Sequence, residues 1–352
     1  MRVDFLLIGQ GIAGTWLSYY LSKKGASIIV IDDAAQNAAS RVAAGIINPV
    51  TGRRVVRTWM IEELLPFAAS AYEQMGKELG ITALLQKDII DFFSAPDIKL
   101  AFEKRLQEGE GYLKKWDSPL LNDFFHVDFG WGMISPVYMA QLEDILPAWR
   151  LHLTANQQLA EEKFDPAQLF LHDGHISYRD IIAQKIIFCD GVAAANNPWF
   201  SKLPFALHKG EALILEIPDL PRENIYKKGL TLVPLKEKNY FWLGSNYLWE
   251  YKNDLPTEKF QNEARQKLNY WLKLPFRIMD HKAALRPANV ERRPFVGIHP
   301  LHPSIGIFNG MGTKGCSLAP YFAKQFAEFL LSGEAILPEA DINRFQKILS
   351  RT

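Results

Sequence analysis

The chain has 352 residues, 48% of them hydrophobic and 22% charged, which excludes a disordered chain and calls for one large domain or two interleaved ones. Lys and Arg total 40 against 39 Asp and Glu, a formal charge of +1, and that balance gives no electrostatic reason to expect a nucleic-acid or anionic-membrane partner. The two cysteines, Cys189 and Cys316, make neither a disulfide framework nor a zinc site, so no metal is expected and a reducing cytoplasm is the simplest compartment; no apolar run reaches the roughly 18 residues a membrane span needs.

Arg2 followed by an apolar run has the look of a secretory leader, but the run is short, contains Asp4, and breaks at Gly9-Gln10-Gly11. It reads instead as a buried parallel strand, Val3 to Ile8. Gly9-Gln10-Gly11-Ile12-Ala13-Gly14 then has the G-x-G-x-x-G spacing. Trp16, Tyr19, Tyr20 and Leu21 follow at rough helical spacing, and Gly25 can end that helix. A second apolar run, Ile28-Ile29-Val30-Ile31, stops at Asp32-Asp33. This strand–turn–helix–strand layout predicts a dinucleotide site. Gly9 permits the tight turn, Gly11 the approach of a diphosphate, and Gly14 close packing of helix on strand. Asp32, 23 positions after Gly9, is placed to accept ribose hydroxyls, which disfavours a 2′-phosphate and hence NADP. These residues alone leave NAD and FAD open.

Two later segments decide that choice by resemblance. Ala39-Ser40-Arg41-Val42-Ala43-Ala44-Gly45-Ile46 resembles the small-residue segment after the second strand in D-amino-acid-oxidase-like FAD-dependent oxidoreductases. Near the other end, Gly310-Met311-Gly312-Thr313-Lys314-Gly315-Cys316-Ser317-Leu318-Ala319-Pro320 resembles their C-terminal glycine-rich turn and helix. Between them, Leu285-Arg286-Pro287 and Arg292-Arg293-Pro294-Phe295-Val296-Gly297 are similar to the family's Arg-Pro stretch. The resemblance runs in order along almost the whole chain. It implies an α/β fold in which a Rossmann-type, glutathione-reductase-like FAD-binding domain (1–80, 132–200 and 284–352) interleaves with a mostly antiparallel β substrate domain (81–131 and 201–283). It also implies the cofactor contacts: Gly9, Gly11, Ile12, Ala13 and Gly14; Asp32 and Asp33; Ser40, Ala43, Ala44, Gly45 and Ile46; and Gly310, Gly312, Thr313, Lys314 and Gly315. A second helix N-terminus at this last turn is suited to stabilise negative charge on a reduced flavin.

Lys185–Gly191 reads as a buried strand and turn returning to the Rossmann sheet, with Asp190 and Gly191 at the cofactor; Asp190 departs from the family's usual alanine. Phe164 is placed at the adenine. Strands are predicted at His208–Ile217, Leu230–Leu235 and Tyr240–Gly244, and Gly132-Met133-Ile134-Ser135-Pro136 resembles the family's crossover from the sheet into a helix of the cofactor domain.

For the substrate, Thr51-Gly52-Arg53-Arg54-Val55-Val56-Arg57 is similar to a stretch of monomeric sarcosine oxidases that implies Arg54 beside the flavin and Arg57 on a substrate carboxylate. Lys314 matches a carboxylate-binding lysine of those enzymes, and Arg286 the carboxylate-gripping arginine of glycine and D-amino-acid oxidases. A guanidinium suits this role because it makes two parallel hydrogen bonds to a carboxylate. Tyr240, Trp242 and Tyr247 are candidates for the amine side. Ala284 stands where sarcosine oxidases carry the cysteine bonded to FAD, so a noncovalent cofactor is expected. Met311 replaces a common histidine and Thr313 the arginine of glycine oxidase. The expected activity is oxidation of the C–N bond of a small, anionic amino acid or secondary amine by hydride transfer to flavin N5, with O2 or another acceptor taking the electrons. Two alternatives are an FAD enzyme trimming the side chain of a tRNA wobble uridine, and a flavin-binding protein without turnover.

Overall fold

The computed structural model describes residues 1–116 and 118–351. Its first large sheet has the strand Arg2–Ile8 at the centre, with Ile28–Ile31 and then Leu159–Ala160 on one side and Ile181–Phe188 on the other, all parallel. The run from Phe5 to Ile8 is buried at every residue, as a strand covered on both faces must be. Ile181–Phe188 is long enough to serve two neighbours. Its first half pairs antiparallel with His175–Tyr178, and its second half runs parallel to His302–Asn309, with Ile186 opposite Ile305.

Helices Ile12–Lys23, Ile61–Leu79, Leu142–Ala155 and Gly315–Ser332 share a core on one face of this sheet. Trp16, Tyr19, Tyr72 and Trp149 meet edge to face there, with Trp16 5.0 Å from Tyr72 and Tyr19 5.5 Å from Trp149. Aromatic pairs in this geometry add roughly 0.5–1.5 kcal/mol beyond their area burial. Their bulk explains why the first helix carries large rings on nearly every turn. Helix Ile12–Lys23 gives way at Lys24 to Gly25, at φ +80°. No helix among the described residues is long and apolar enough to cross a membrane.

The second large sheet runs in the order Arg277–Arg286, His208–Glu216, Tyr240–Gly244, Leu230–Pro234, Ile225–Lys228, Ile89–Phe92, Trp131–Ile134, Leu113–Lys114. Every pair is antiparallel except Ile225–Lys228 with Ile89–Phe92. The architecture is thus a Rossmann-type α/β body interleaved with a mostly antiparallel β unit. Helix Glu258–Trp271, capped by the Thr257 hydroxyl, buries Phe260, Ala264, Leu268 and Trp271 against this sheet. Residues 132–134, expected on the cofactor side, lie in this second sheet, because Trp131–Ile134 completes the ladder with Ile89–Phe92. The chain leaves that sheet through Tyr138–Ala140, which pairs with Ile46–Ile47 and Leu84–Gln86, and then enters helix Leu142–Ala155.

Candidate active site

The first strand ends at Gly9, φ +97°, where a side-chain Cβ would meet the Cys189 carbonyl oxygen at 2.7 Å; at Gly14 a Cβ would lie 1.8 Å from the Gly9 carbonyl oxygen. Only glycine lets strand, turn and helix come this close. Helix Ile12–Lys23 has no side chain capping it from its own N-cap residue. Instead the Ile12 N–H donates to the Ser40 hydroxyl at 2.9 Å. Asp32, at the end of the second strand, accepts from the backbone N–H groups of Gln10 (2.7 Å) and Ala34 (2.9 Å) and from Arg150 Nη1 (2.7 Å). Arg150 projects from helix Leu142–Ala155 and also donates to the Asp32 carbonyl at 3.1 Å.

A second glycine turn follows the strand His302–Asn309. Gly310 and Gly312 have φ +76° and +54°, and helix Gly315–Ser332 begins without a side-chain cap. Asn309 ties this turn to the end of strand Ile181–Phe188: its Oδ1 accepts from Gly310 N (2.8 Å), while its Nδ2 donates to the Gly191 carbonyl (2.9 Å) and to Asp190 (3.2 Å). Burial pushes the Asp190 carboxyl up to about 7. From the other flank Asn289 Nδ2 donates to the Gly310 carbonyl (2.7 Å), and Gly312 N donates to the Pro287 carbonyl (3.1 Å).

Both turns open on one cavity of about 780 Å³. Its wall takes in Gly9 to Ala13, Asp32 and Asp33, Ser40, Ala43 to Ile46, Phe164, Asp190 and Gly191, and Met311 to Cys316, together with Trp242, Ser245, Tyr247 and Arg286. Two helix N-termini that donate to phosphate and a carboxylate at a strand end that accepts from hydroxyls are the set that a dinucleotide with a diphosphate requires. The family model described as FAD dependent oxidoreductase (DAO) matches residues 4–329.

The chain belongs to the DAO family of FAD-dependent oxidoreductases. Solved structures similar to it include glycine oxidase from Geobacillus kaustophilus (16% identity, TM-score 0.79, covering 100% of this chain and 99% of that one). Iminodiacetate oxidase from Chelativorans sp. BNC1 is 19% identical, with TM-score 0.75 and coverage of 97% and 98%. L-proline dehydrogenase from P. horikoshii is 14% identical, with TM-score 0.76 and coverage of 98% of both chains. At these identities the likeness is one of fold.

The residues present fit the cofactor of this DAO-family protein, FAD: backbone fills the place of a Cβ at Gly9 and Gly14, which folds the first turn tightly, a Cβ at Gly11 would meet nothing but the Ser40 side chain, and the cavity runs from there past the second turn. Two of the glycines expected at the cofactor act from behind the wall. Gly14 packs on Gly9, and Gly310 leaves room for the Phe295 ring and Asn289. Sequence reasoning missed Gln10, Arg150 and Asn309. Gln10 is buried, and its amide donates to Thr15 Oγ1 and the Leu146 carbonyl, which locks the turn to a distant helix. Gln10 fills a variable position of the glycine motif, and Arg150 and Asn309 lie outside any spacing motif.

Four basic residues were expected at the substrate, and the DAO fold separates them. Arg286 ends the strand Arg277–Arg286 and points into the cavity, where Nη2 donates to Ser245 Oγ (2.7 Å) and Nη1 to the Asn246 carbonyl (3.2 Å). The Tyr247 ring lies 5.0 Å from its guanidinium, and no acidic side chain pairs with it among the described residues. Burial pulls its pKa below the ordinary guanidinium value. Lys314 also lines the cavity; burial, helped by the charge of Lys227, lowers its ammonium to about 8. Lys227 itself is paired with Asp91 at 2.7 Å.

Arg54 and Arg57 do not line the cavity. Both sit exposed on the hairpin formed by Val50–Thr51 and Val56–Arg57, and the Arg57 guanidinium is held by Glu110 (2.9 Å) and by Glu62. Two carboxylates already satisfy it, so it is not aimed at a ligand. Trp242 and Tyr247 line the cavity, whereas Tyr240 does not. Trp242 is fixed by its indole N–H, which donates to the Val42 carbonyl at 2.9 Å.

Proposed function

We propose that this protein oxidises the C–N bond of a small amino acid or secondary amine that carries an anionic group, with FAD held noncovalently. One observation carries the reading: Arg286 is a largely buried cation in the cavity wall, with two neutral hydrogen-bond partners and no acid among the described residues. Burying an unpaired charge costs several kcal/mol in effective terms, and a substrate carboxylate offsets that cost through a bidentate ion pair. Arg286 then fixes the substrate's anionic end, while Trp242 and Tyr247 shape the wall beside it. Lys314, which pairs with no acid among the described residues, offers a second contact to negative charge, which favours a substrate larger than glycine.

Bound FAD supplies the two-electron acceptance that no side chain here offers. The imine product hydrolyses in solution, and O2 or another acceptor takes the electrons. The substrates in the names of the similar structures, glycine, iminodiacetate and L-proline, are all small carboxylate-bearing amines, which supports this reading. In it, 1–80, 135–200 and 284–352 hold the cofactor, 81–134 and 201–283 shape the substrate face, and the protein works in the cytoplasm. Anaerobic mixing of the FAD-loaded protein with a panel of amino acids and secondary amines tests it. Bleaching of the visible flavin band by at least one anionic amine is expected. Bleaching by dithionite but by no amine would overturn it.

A further inference from the structure

We propose that Lys209-Gly210-Glu211 is a positioning device that sets the Arg286 guanidinium in the cavity, acting through the loop after Gly244. This deepens, and rests on, the assignment of Arg286 as the anion contact.

The three residues lie near the start of the strand His208–Glu216, beside Arg277–Arg286, with Gly210 opposite Ala284. Alternation sends Lys209 and Glu211 to one face and leaves Gly210 on the other. Lys209 is 2% exposed and Glu211 fully buried, a combination that is rare for charged side chains unless they are paired. Their own ion pair is loose, at 3.8 Å. Glu211 also has the His281 ring of the neighbouring strand at 3.2 Å, but most of the tight contacts of the two charges are to the loop. The Glu211 carboxylate accepts from Thr257 N (2.6 Å), Thr257 Oγ1 (3.0 Å) and Asn246 Nδ2 (3.2 Å), and the Glu211 N–H donates to Asn246 Oδ1 (2.7 Å). Lys209 Nζ donates to the Leu255 carbonyl (2.7 Å), and its backbone exchanges two hydrogen bonds with Leu248.

Both ends of the segment 246–257 are therefore fastened to two neighbouring buried charges. That segment and the residue before it supply Ser245 Oγ, the Asn246 carbonyl and the Tyr247 ring to Arg286. Tyr247 is backed in turn by the buried His208 ring, 5.2 Å away. From the strand itself, a Cβ at Gly210 would lie 1.8 Å from Arg286 Nη2 and 2.1 Å from Cζ; the guanidinium occupies the place of a missing side chain. Joining two strands needs no buried charge, since apolar residues do that without desolvation. Fixing an irregular loop does need directional bonds, because its backbone has no ladder of its own.

The test uses the FAD-loaded protein and non-oxidisable probes (formate, acetate, glycolate and malonate), with binding read from the visible flavin spectrum. Gly210→Ala and Glu211→Gln are expected to weaken the tightest probe by roughly tenfold or more and to raise KM more than they lower kcat, with flavin content retained. In an Arg286→Ala background each is expected to add less than roughly twofold, since the group they position is gone. Should the strand variants lose flavin, Asn246→Ala cuts the Glu211 link from the loop side and carries the same expectation. Wild-type binding in Gly210→Ala or Asn246→Ala, or losses that multiply with that of Arg286→Ala, would overturn the positioning role while leaving the anion contact standing. If Arg286→Ala binds every probe like the wild type, or the wild type binds none, the anion contact itself falls and the positioning role with it.

Discussion

Gly315 and Ile12, each the first residue of its helix, lie against one another although they come from opposite ends of the chain: a Cβ on Gly315 would stand 3.1 Å from Ile12 Cγ2. The positive ends of two helices are thereby brought side by side on one cavity, and neither is capped by its own preceding side chain. Together they suit a cofactor that is anionic at its diphosphate and gains charge on reduction.

The closest approach in this arrangement gives the first prediction. Gly14→Ala would drive a methyl to 1.8 Å from the Gly9 carbonyl oxygen, and neither backbone can yield without opening the turn. The variant is expected to be purified with less than roughly a tenth of the wild-type flavin per chain, measured by the ratio of visible to ultraviolet absorbance. Gly111→Ala, where nothing lies within 4 Å, is expected to keep full flavin content.

Asp190 makes stability depend on pH in an uncommon direction. Its folded pKa, about 7 against the ordinary 3.8, means the folded state favours the proton. That contribution is complete below about 3.8 and is lost as pH rises through about 7. Asp190→Asn mimics the protonated acid and still accepts from Asn309. At pH 8 it is expected to melt roughly 2–5 °C above the wild type, with the gap closing towards pH 5. Thermal melts at the two pH values check this, and an equal gap at both would refute it.

Lys314 titrates on the other side of neutrality. Its ammonium, lowered to about 8, is charged below that pH and neutral above it. For an anionic amine, kcat/KM is therefore expected to fall above about pH 8, since this ratio reports the free enzyme. Lys314→Met should remove the break and raise KM roughly tenfold at pH 7, with a larger effect on a dicarboxylic amine than on a monocarboxylic one. Initial-rate pH profiles for both substrates decide it.

Arg57 and Arg54 serve as the contrast. Because Arg57 is bound by Glu110 and Glu62 at the surface and Arg54 is exposed, Arg57→Ala and Arg54→Ala are expected to change KM by no more than roughly twofold. A tenfold rise in either variant would mean that the hairpin 50–57 reaches the substrate.

The amino-acid sequence by itself determined the cofactor half of this protein. Gly9, Gly11 and Gly14, the strand before them, Asp32 after the next strand, and the turn from Gly310 to Gly315 are legible because each depends on neighbours a few residues away. The strands near 208–217, 230–235 and 240–244 were legible from their apolar runs for the same reason. Only the tertiary structure decided which cations face the cavity. Arg57 finds Glu110, 53 positions along the chain, and is neutralised at the surface; Arg286 finds no acid among the described residues and is lodged on Gly210. Arg150 on Asp32, Asn309 between two strand ends, and the anchoring of the loop 246–257 by Glu211 are likewise products of packing. A side chain's charge is written in its type, but its partner is set by which distant elements the core brings together.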